Sequence, residues 1–341
     1  METTKVEFRL TAATNVGYSR DHNEDNFTVN PDLTQKVWMI PETTGEPLVL
    51  GKNGCVFVVA DGMGGHNAGE VASAIAVSEV ARLFDEAPLS QISKNDAHIE
   101  HFLIDIICKA DHAIRKHAKE NPASKGLGTT IILVWVIGNR AHLAWCGDSR
   151  AYIYNKEAGL ARFSKDHSYV QELVNKGLLD EEMAFDHPQS NLITRCLGDF
   201  PAETMPEYRS YYLQPGDFIL LCSDGLCGYC RDEEIAKVLL QTSDDLYVCN
   251  QKLIEAALNA GGFDNITTAL FQFVSCTTEN IESDQSDSEN ESNEEKIEVD
   301  TVKLKNKEHT STITSSRNKY ILLVVLSLII IACVVWWVLN K

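Results

Sequence analysis

Val58-Val59-Ala60-Asp61-Gly62 decides the reading: an apolar run of strand length, residues 56–60, delivers a carboxylate and then a glycine at its end. The arrangement recurs. Asp148 follows Trp145-Cys146-Gly147, and Asp224-Gly225 follows Leu221-Cys222-Ser223. Asp264-Asn265 opens a further apolar run, and Glu24-Asp25 closes the turn Arg20-Asp21-His22-Asn23. One carboxylate at a strand end is ordinarily a solvated turn residue. Several brought to one edge repel one another and raise each other's pKa unless cations neutralise them.

The donor types narrow the cation. Oxygen ligands without a histidine or cysteine partner suit hard ions such as Mg²⁺ or Mn²⁺ rather than Zn²⁺. Two such ions about 3.5 to 4 Å apart polarise a phosphoryl oxygen and activate a water, so the implied reaction is hydrolysis of a phosphate ester. Gly62, Gly64 and Gly65 allow a backbone carbonyl to come close to an ion. Arg20 has the planar fork that grips phosphate, four and five residues before Glu24 and Asp25.

Outward from these motifs, apolar runs of strand length alternate with stretches of helical period. Strands are expected at 56–60, 129–136, 141–146, 151–154, 218–222 and 266–274, with Gly138-Asn139 as a hairpin turn. Helices are expected at 69–84, at 97–119 before Pro122, and at 169–176, 232–240 and 245–259. Hairpin strands with paired helices predict an α/β fold of two packed β-sheets flanked by helices.

Composition says globular and argues against one class of partner. Of 341 residues, 44% are apolar, enough for a substantial core. The formal net charge of -19 argues against a nucleic-acid partner, which needs a basic face. Ten acidic residues and one lysine between Glu279 and Asp300 account for about half of that charge. Ten cysteines scattered through apolar runs read as buried free thiols in a reducing compartment. Cys227-Gly228-Tyr229-Cys230 has the spacing of a zinc or redox pair, but no second pair or nearby histidine completes it.

The ends differ from the middle. Glu2, Lys5, Glu7 and Arg9 interrupt any apolar leader. Residues 320–339, after an opening tyrosine, are an apolar run with Trp336 and Trp337 near its end and Arg317 and Lys319 before it. As a helix the run spans about 30 Å, the thickness of a bilayer core. Residues 277–318 are acidic, rich in serine and free of aromatics, as a disordered linker is; its span as a coil is about 35 Å. The expected organisation is a domain over 1–276, a linker over 277–318 and one C-terminal transmembrane helix over 320–339. The chain is then a single-pass membrane protein with its catalytic domain in the cytoplasm.

Taken together, the motifs resemble those of the metal-dependent PPM-type (type 2C) serine/threonine protein phosphatases, the bacterial branch in particular. The match runs from Gly17-Tyr18-Ser19-Arg20-Asp21-His22-Asn23-Glu24-Asp25 through Val59-Ala60-Asp61-Gly62-Met63-Gly64-Gly65-His66 and Gly128-Thr129-Thr130. It continues through Gly147-Asp148-Ser149-Arg150-Ala151-Tyr152, Asp166-His167-Ser168, Ser223-Asp224-Gly225-Leu226 and Asp264-Asn265-Ile266-Thr267. The resemblance implies an αββα sandwich and hydrolysis of phosphoserine and phosphothreonine in proteins at a binuclear Mg/Mn centre. It implies that Asp61 bridges the two ions, that the Gly62 carbonyl, Asp224 and Asp264 complete their shells, and that Asp25 and Glu24 act at the second ion. Asp148 resembles the ligand of a third, looser ion, and the segment from Asp166 to Pro188 resembles a mobile flap. Where eukaryotic relatives carry a histidine after the Asp-Gly pair, this chain has Met63; the nearest histidine, His66, is the candidate general acid, beside a metal-bound water as donor or a structural role for the ring. A serine/threonine kinase is the expected counterpart. A catalytically silent scaffold and a small-phosphate hydrolase on the same fold are the alternatives.

Overall fold

Cys55–Ala60 is buried at all six positions, and its pleat sends alternate side chains into two different cores. Cys55, Phe57 and Val59 point inward between two sheets, with Phe8, Val134, Trp145, Leu221 and Phe271. Val56, Val58 and Ala60 point outward under helices, with Ala72, Val80, Phe84, Leu103 and Ile106. Such a strand is apolar throughout because both of its faces are covered. Phe218–Cys222 repeats the device on the other side. Ile219 and Leu221 join the inter-sheet core, while Phe218, Leu220 and Cys222 pack with Leu239, Cys249 and Leu253 of a second helical layer.

The computed structural model describes residues 2–38, 46–64, 68–122, 125–198 and 204–280. One sheet runs, by hydrogen-bonded neighbours, Gly159–Arg162, Arg150–Asn155, Phe218–Cys222, Ile266–Asn280, Glu2–Asn15 and Leu48–Val49. The other runs Glu207–Tyr212, Arg140–Cys146, Ile131–Ile137, Cys55–Ala60 and Asn26–Asn30. Their inner faces meet through the stacked rings of Phe8, Phe271 and Phe57, with centroids 5.3 and 5.8 Å apart. Helices Ala68–Glu86 and Asp96–Glu120 cover the second sheet. Asp232–Thr242 and Leu246–Asn259 cover the first. This is the expected αββα order. Side chains start two of the helices: Asn95 accepts from the Ala97 N–H at 2.8 Å, and Asp245 from the Val248 N–H at 3.0 Å.

Several details depart from the sequence reading. The run at 129–136 is two strands. Gly128–Thr129 joins a small third sheet with Gly62–Met63 and Leu197–Gly198, and Ile131–Ile137 joins the large sheet, turning back through Gly138-Asn139 to Arg140. The break at Thr130 follows from its N–H bonding the Asp61 carbonyl at 2.8 Å rather than a strand partner. Seven strands lie outside the expected ranges: Gly62–Met63 and Leu197–Gly198 of the small sheet, and Glu2–Asn15, Asn26–Asn30, Leu48–Val49, Gly159–Arg162 and Glu207–Tyr212. The final strand runs on to Asn280, paired with Glu2–Asn15, and so enters the stretch read as linker. Among the described residues no helix is long and apolar enough to cross a membrane. The run at 320–339 lies outside them, as does the linker beyond Asn280.

Candidate metal centre

Pairing registers explain why distant carboxylates meet at one edge. Asn26 pairs with Ala60, which sets Asp25 and Asp61 side by side at the ends of neighbouring strands. Cys222 pairs with both Arg150 and Thr268, so Asp224 leaves the first sheet close to where Asp148 and Asp264 lead into it. Asn15 pairs with Ile266 and carries the Arg20 turn to the same place.

Neutral polar side chains hold this edge together. The Asn265 carboxamide accepts from the Glu24 N–H at 2.8 Å and donates to the carbonyls of Val16 at 2.9 Å and His22 at 3.1 Å. One side chain thereby ties the acidic turn to the strand that carries Asp264. Ser223 donates to the Asp25 carboxylate at 2.7 Å and accepts from the Thr267 N–H at 3.0 Å. Around Asp61 the Thr129 hydroxyl donates to its carbonyl at 2.9 Å, while Thr130 Oγ1 accepts from its N–H at 3.1 Å and pairs with Ser149 at 2.7 Å. Sequence reasoning quoted these residues within motifs but gave them no role. The available signal was that each sits directly beside a carboxylate or a partner strand end.

Electrostatics marks the cluster. Glu24, Asp25 and Asp148 are buried, and Asp61 and Asp224 are half-buried. The protein around the Asp61 carboxyl, and then the charges of Asp224, Asp25, Asp148 and Asp264, push its pKa well above the carboxylate range. Burial lifts Asp25 to about 8 with help from Asp224 and Asp264, although hydrogen bonds from Thr267 and Ser223 favour the anion. Burial and the charge of Asp264 raise Asp224 to about 6, against the opposing pull of its hydrogen bond with Asp61 and of Arg20. Asp148 is likewise pushed up by burial and by Asp224, and its buried Oδ1 has no hydrogen-bond partner.

These features fit hard divalent cations. The donors are all oxygens, they disfavour one another's ionised form, and one buried acceptor stands unpaired. Gly62 fits as well, because a Cβ there would lie 2.3 Å from the Gly69 carbonyl oxygen and 2.4 Å from that of Glu24. Among the described residues no three histidine, cysteine or carboxylate side chains stand at ligand spacing about one point, so backbone oxygens such as the Gly62 carbonyl would have to share in holding an ion.

Arg20 stands at the rim, 45% exposed, with Nη2 2.7 Å from Asp264 Oδ2. Its guanidinium shares the edge with the acids while remaining open to an anion from solvent. His66 and Gly65 lie outside the described residues. The segment from Asp166 to Pro188 folds into helices Tyr169–Asn175 and Glu181–Phe185. Its base is fixed by Arg150, which binds Asp166 in a fork at 2.7 and 3.0 Å, and by a bridge between Ser168 and Ile193.

Comparison with known proteins agrees with this geometry. The family model for protein phosphatase 2C matches residues 48–259. The serine/threonine protein phosphatase PstP of Mycobacterium tuberculosis is 37% identical over 223 residues, 64% of this chain and 40% of PstP, so the match covers well under half of that relative. The serine/threonine phosphatase stp of Listeria monocytogenes is 32% identical over 78% of this chain and 95% of its own length. Among solved structures, Stp1 of Staphylococcus aureus superposes with a TM-score of 0.67 at 31% identity, covering 78% of this chain and 95% of Stp1. The catalytic domain of PstP in complex with two manganese ions superposes at 0.63, also at 31% identity, covering 79% of this chain and all of that domain.

Proposed function

The chain belongs to the protein phosphatase 2C family, and we propose that it hydrolyses phosphoserine and phosphothreonine in proteins at a centre of two Mn²⁺ or Mg²⁺ ions. The observation that carries the reading is the gathering of Asp25, Asp61, Asp148, Asp224 and Asp264 at one edge, each within electrostatic reach of others. A neighbouring structure of this fold holds two manganese ions. The ions supply Lewis acidity and a water of lowered pKa.

The residues of the chain do the rest. Asp61, Asp224, Asp264 and the Gly62 carbonyl hold the central ions, Asp25 and Glu24 act at the second, and Asp148 serves a third. Ser223 and Asn265 keep Asp25 and the acidic turn in register. Arg20 turns its fork toward the substrate phosphate and orients it over the acids. His66 remains the candidate donor to the leaving alkoxide. The apolar run at 320–339 supports attachment to a membrane, which would confine the domain to substrates near the bilayer, including those of a membrane-bound kinase.

The test uses the full chain in detergent with a phosphothreonine peptide, first chelated and then given Mn²⁺ or Mg²⁺. Phosphate release is expected only with metal, and is expected to be lost in Asp61→Ala and Asp224→Ala proteins that still fold. Equal turnover in those variants would remove the metal-centre reading.

A further inference from the structure

Beside the carboxylates the surface presents large aromatic side chains that the hydrolytic chemistry does not use. Tyr18 is 72% exposed, Phe263 53% and Tyr229 36%. They form a contiguous group. The rings of Tyr229 and Phe263 lie 5.5 Å apart, and Tyr18 packs on the loop that carries Phe263.

That loop is built to present them. Gly261 and Gly262 have φ of 129° and 56°, which favour glycine. The pair turns the chain out of helix Leu246–Asn259, and the Phe263 ring folds back so closely that a Cβ on Gly261 would meet it at 2.1 Å. The Gly262 carbonyl then accepts from the Tyr18 and Ser19 N–H groups at 2.7 and 3.2 Å. Both glycines therefore serve to hold the aromatic rings at the surface, where Tyr18 and Phe263 stay more than half exposed.

The group is continuous with the phosphate site. Tyr18 is two residues before Arg20, and Phe263 directly precedes Asp264, which Arg20 contacts at 2.7 Å. The Tyr229 hydroxyl is within electrostatic reach of Asp224, Asp264 and Arg20. A peptide whose phosphate meets Arg20 advances about 3.3 to 3.6 Å per residue when extended, so these neighbouring rings are within reach of the side chains next to the phosphorylated residue.

We propose that Tyr18, Tyr229 and Phe263 form a docking platform for an aromatic or large apolar side chain flanking the phosphorylated residue of a protein substrate. The proposal rests on the phosphatase reading. Aromatic rings reward a flat apolar partner, and an exposed apolar patch beside a polar site marks a recognition surface. Phosphate fixes the reacting residue, and the platform selects among its neighbours.

The experiment compares two fluorescent phosphothreonine peptides, one with phenylalanine or tryptophan on both sides of the phosphothreonine and one with glycine there. Binding is followed by anisotropy and turnover by phosphate release, using the full chain in detergent. The native chain is expected to favour the aromatic peptide in both Kd and KM by about three- to tenfold, the range of one aromatic contact. In Phe263→Ala that ratio falls toward one, and in Phe263→Tyr it is kept. An unchanged melting temperature shows that both variants fold. No preference in the native chain, or the same preference in Phe263→Ala, overturns the platform. If neither peptide is hydrolysed with any metal, the phosphatase reading fails, and the anisotropy ratio decides the platform by the same two criteria.

Discussion

Chelation should make the stability of this protein fall as pH rises. Asp25 is the measurable member of the cluster, because its carboxyl titrates near 8 in the folded, metal-free chain against an ordinary 3.8. A folded-state pKa raised in this way contributes stability that is fully present below 3.8 and is lost as pH passes through about 8. Each proton retained by the folded but not the unfolded chain gives a slope of about 1.4 kcal/mol per pH unit. Asp61 and Asp148 are pushed in the same direction, and Asp25 alone holds an extra proton from about pH 6.5 to 8. The loss over that window is then about 2 kcal/mol, or about 4–8 °C in melting temperature for a domain of this size. Other buried groups titrate too: His142 and His167 are pushed down by burial, and thiols such as Cys55 and Cys146 are pushed up. Their contributions are common to both samples. Saturating Mn²⁺ keeps the ligands ionised and removes the carboxylate slope. Calorimetric melts from pH 6.5 to 8.5, chelated and Mn²⁺-loaded, should therefore diverge as pH rises. Parallel curves would refute the reasoning.

Two further variants separate a buried charge pair from an exposed one near the flap. Arg150→Ala leaves the buried Asp166 carboxylate without its forked partner and should cost about 3–5 kcal/mol in denaturant unfolding. Arg231→Ala removes a 2.6 Å ion pair to Asp186 and a guanidinium lying 4.3 Å over the Phe185 ring, both at the surface. It should change global stability by less than about 1 kcal/mol, while amide exchange in helix Glu181–Phe185 becomes faster.

What the sequence made legible was set by how local the cause was. Strands 218–222 and 56–60 read correctly because two-sided burial makes them continuously apolar. Glu2–Asn15 carries an equally clear alternation, with Val6, Phe8 and Leu10 buried between Lys5, Glu7 and Arg9. Its charges argue against an apolar leader, and their period of two is that of a half-buried strand. Glu207–Tyr212 has no buried position and is a sheet edge, so neither apolar run nor clean alternation announced it. The split at Thr130 is a different kind of failure: its cause is the Asp61 carbonyl, 69 positions away, which no local pattern contains.

The same division explains the candidate site. The acids were visible as strand-end carboxylates, but their mutual repulsion cannot hold them together; it drives them apart or leaves them protonated. The uncharged residues do the holding. Asn265 spans from the strand carrying Asp264 to the backbone of Val16, His22 and Glu24, and Ser223 fixes Asp25 from the strand end that carries Asp224. Each of these bonds crosses about 200 residues or more of sequence, and none of them depends on the acids being ionised except that from Ser223 to Asp25. The frame therefore does not rest on the charges it carries. Binding ions asks the carboxylates to release protons, while the strand ends that carry them are held by the two sheets.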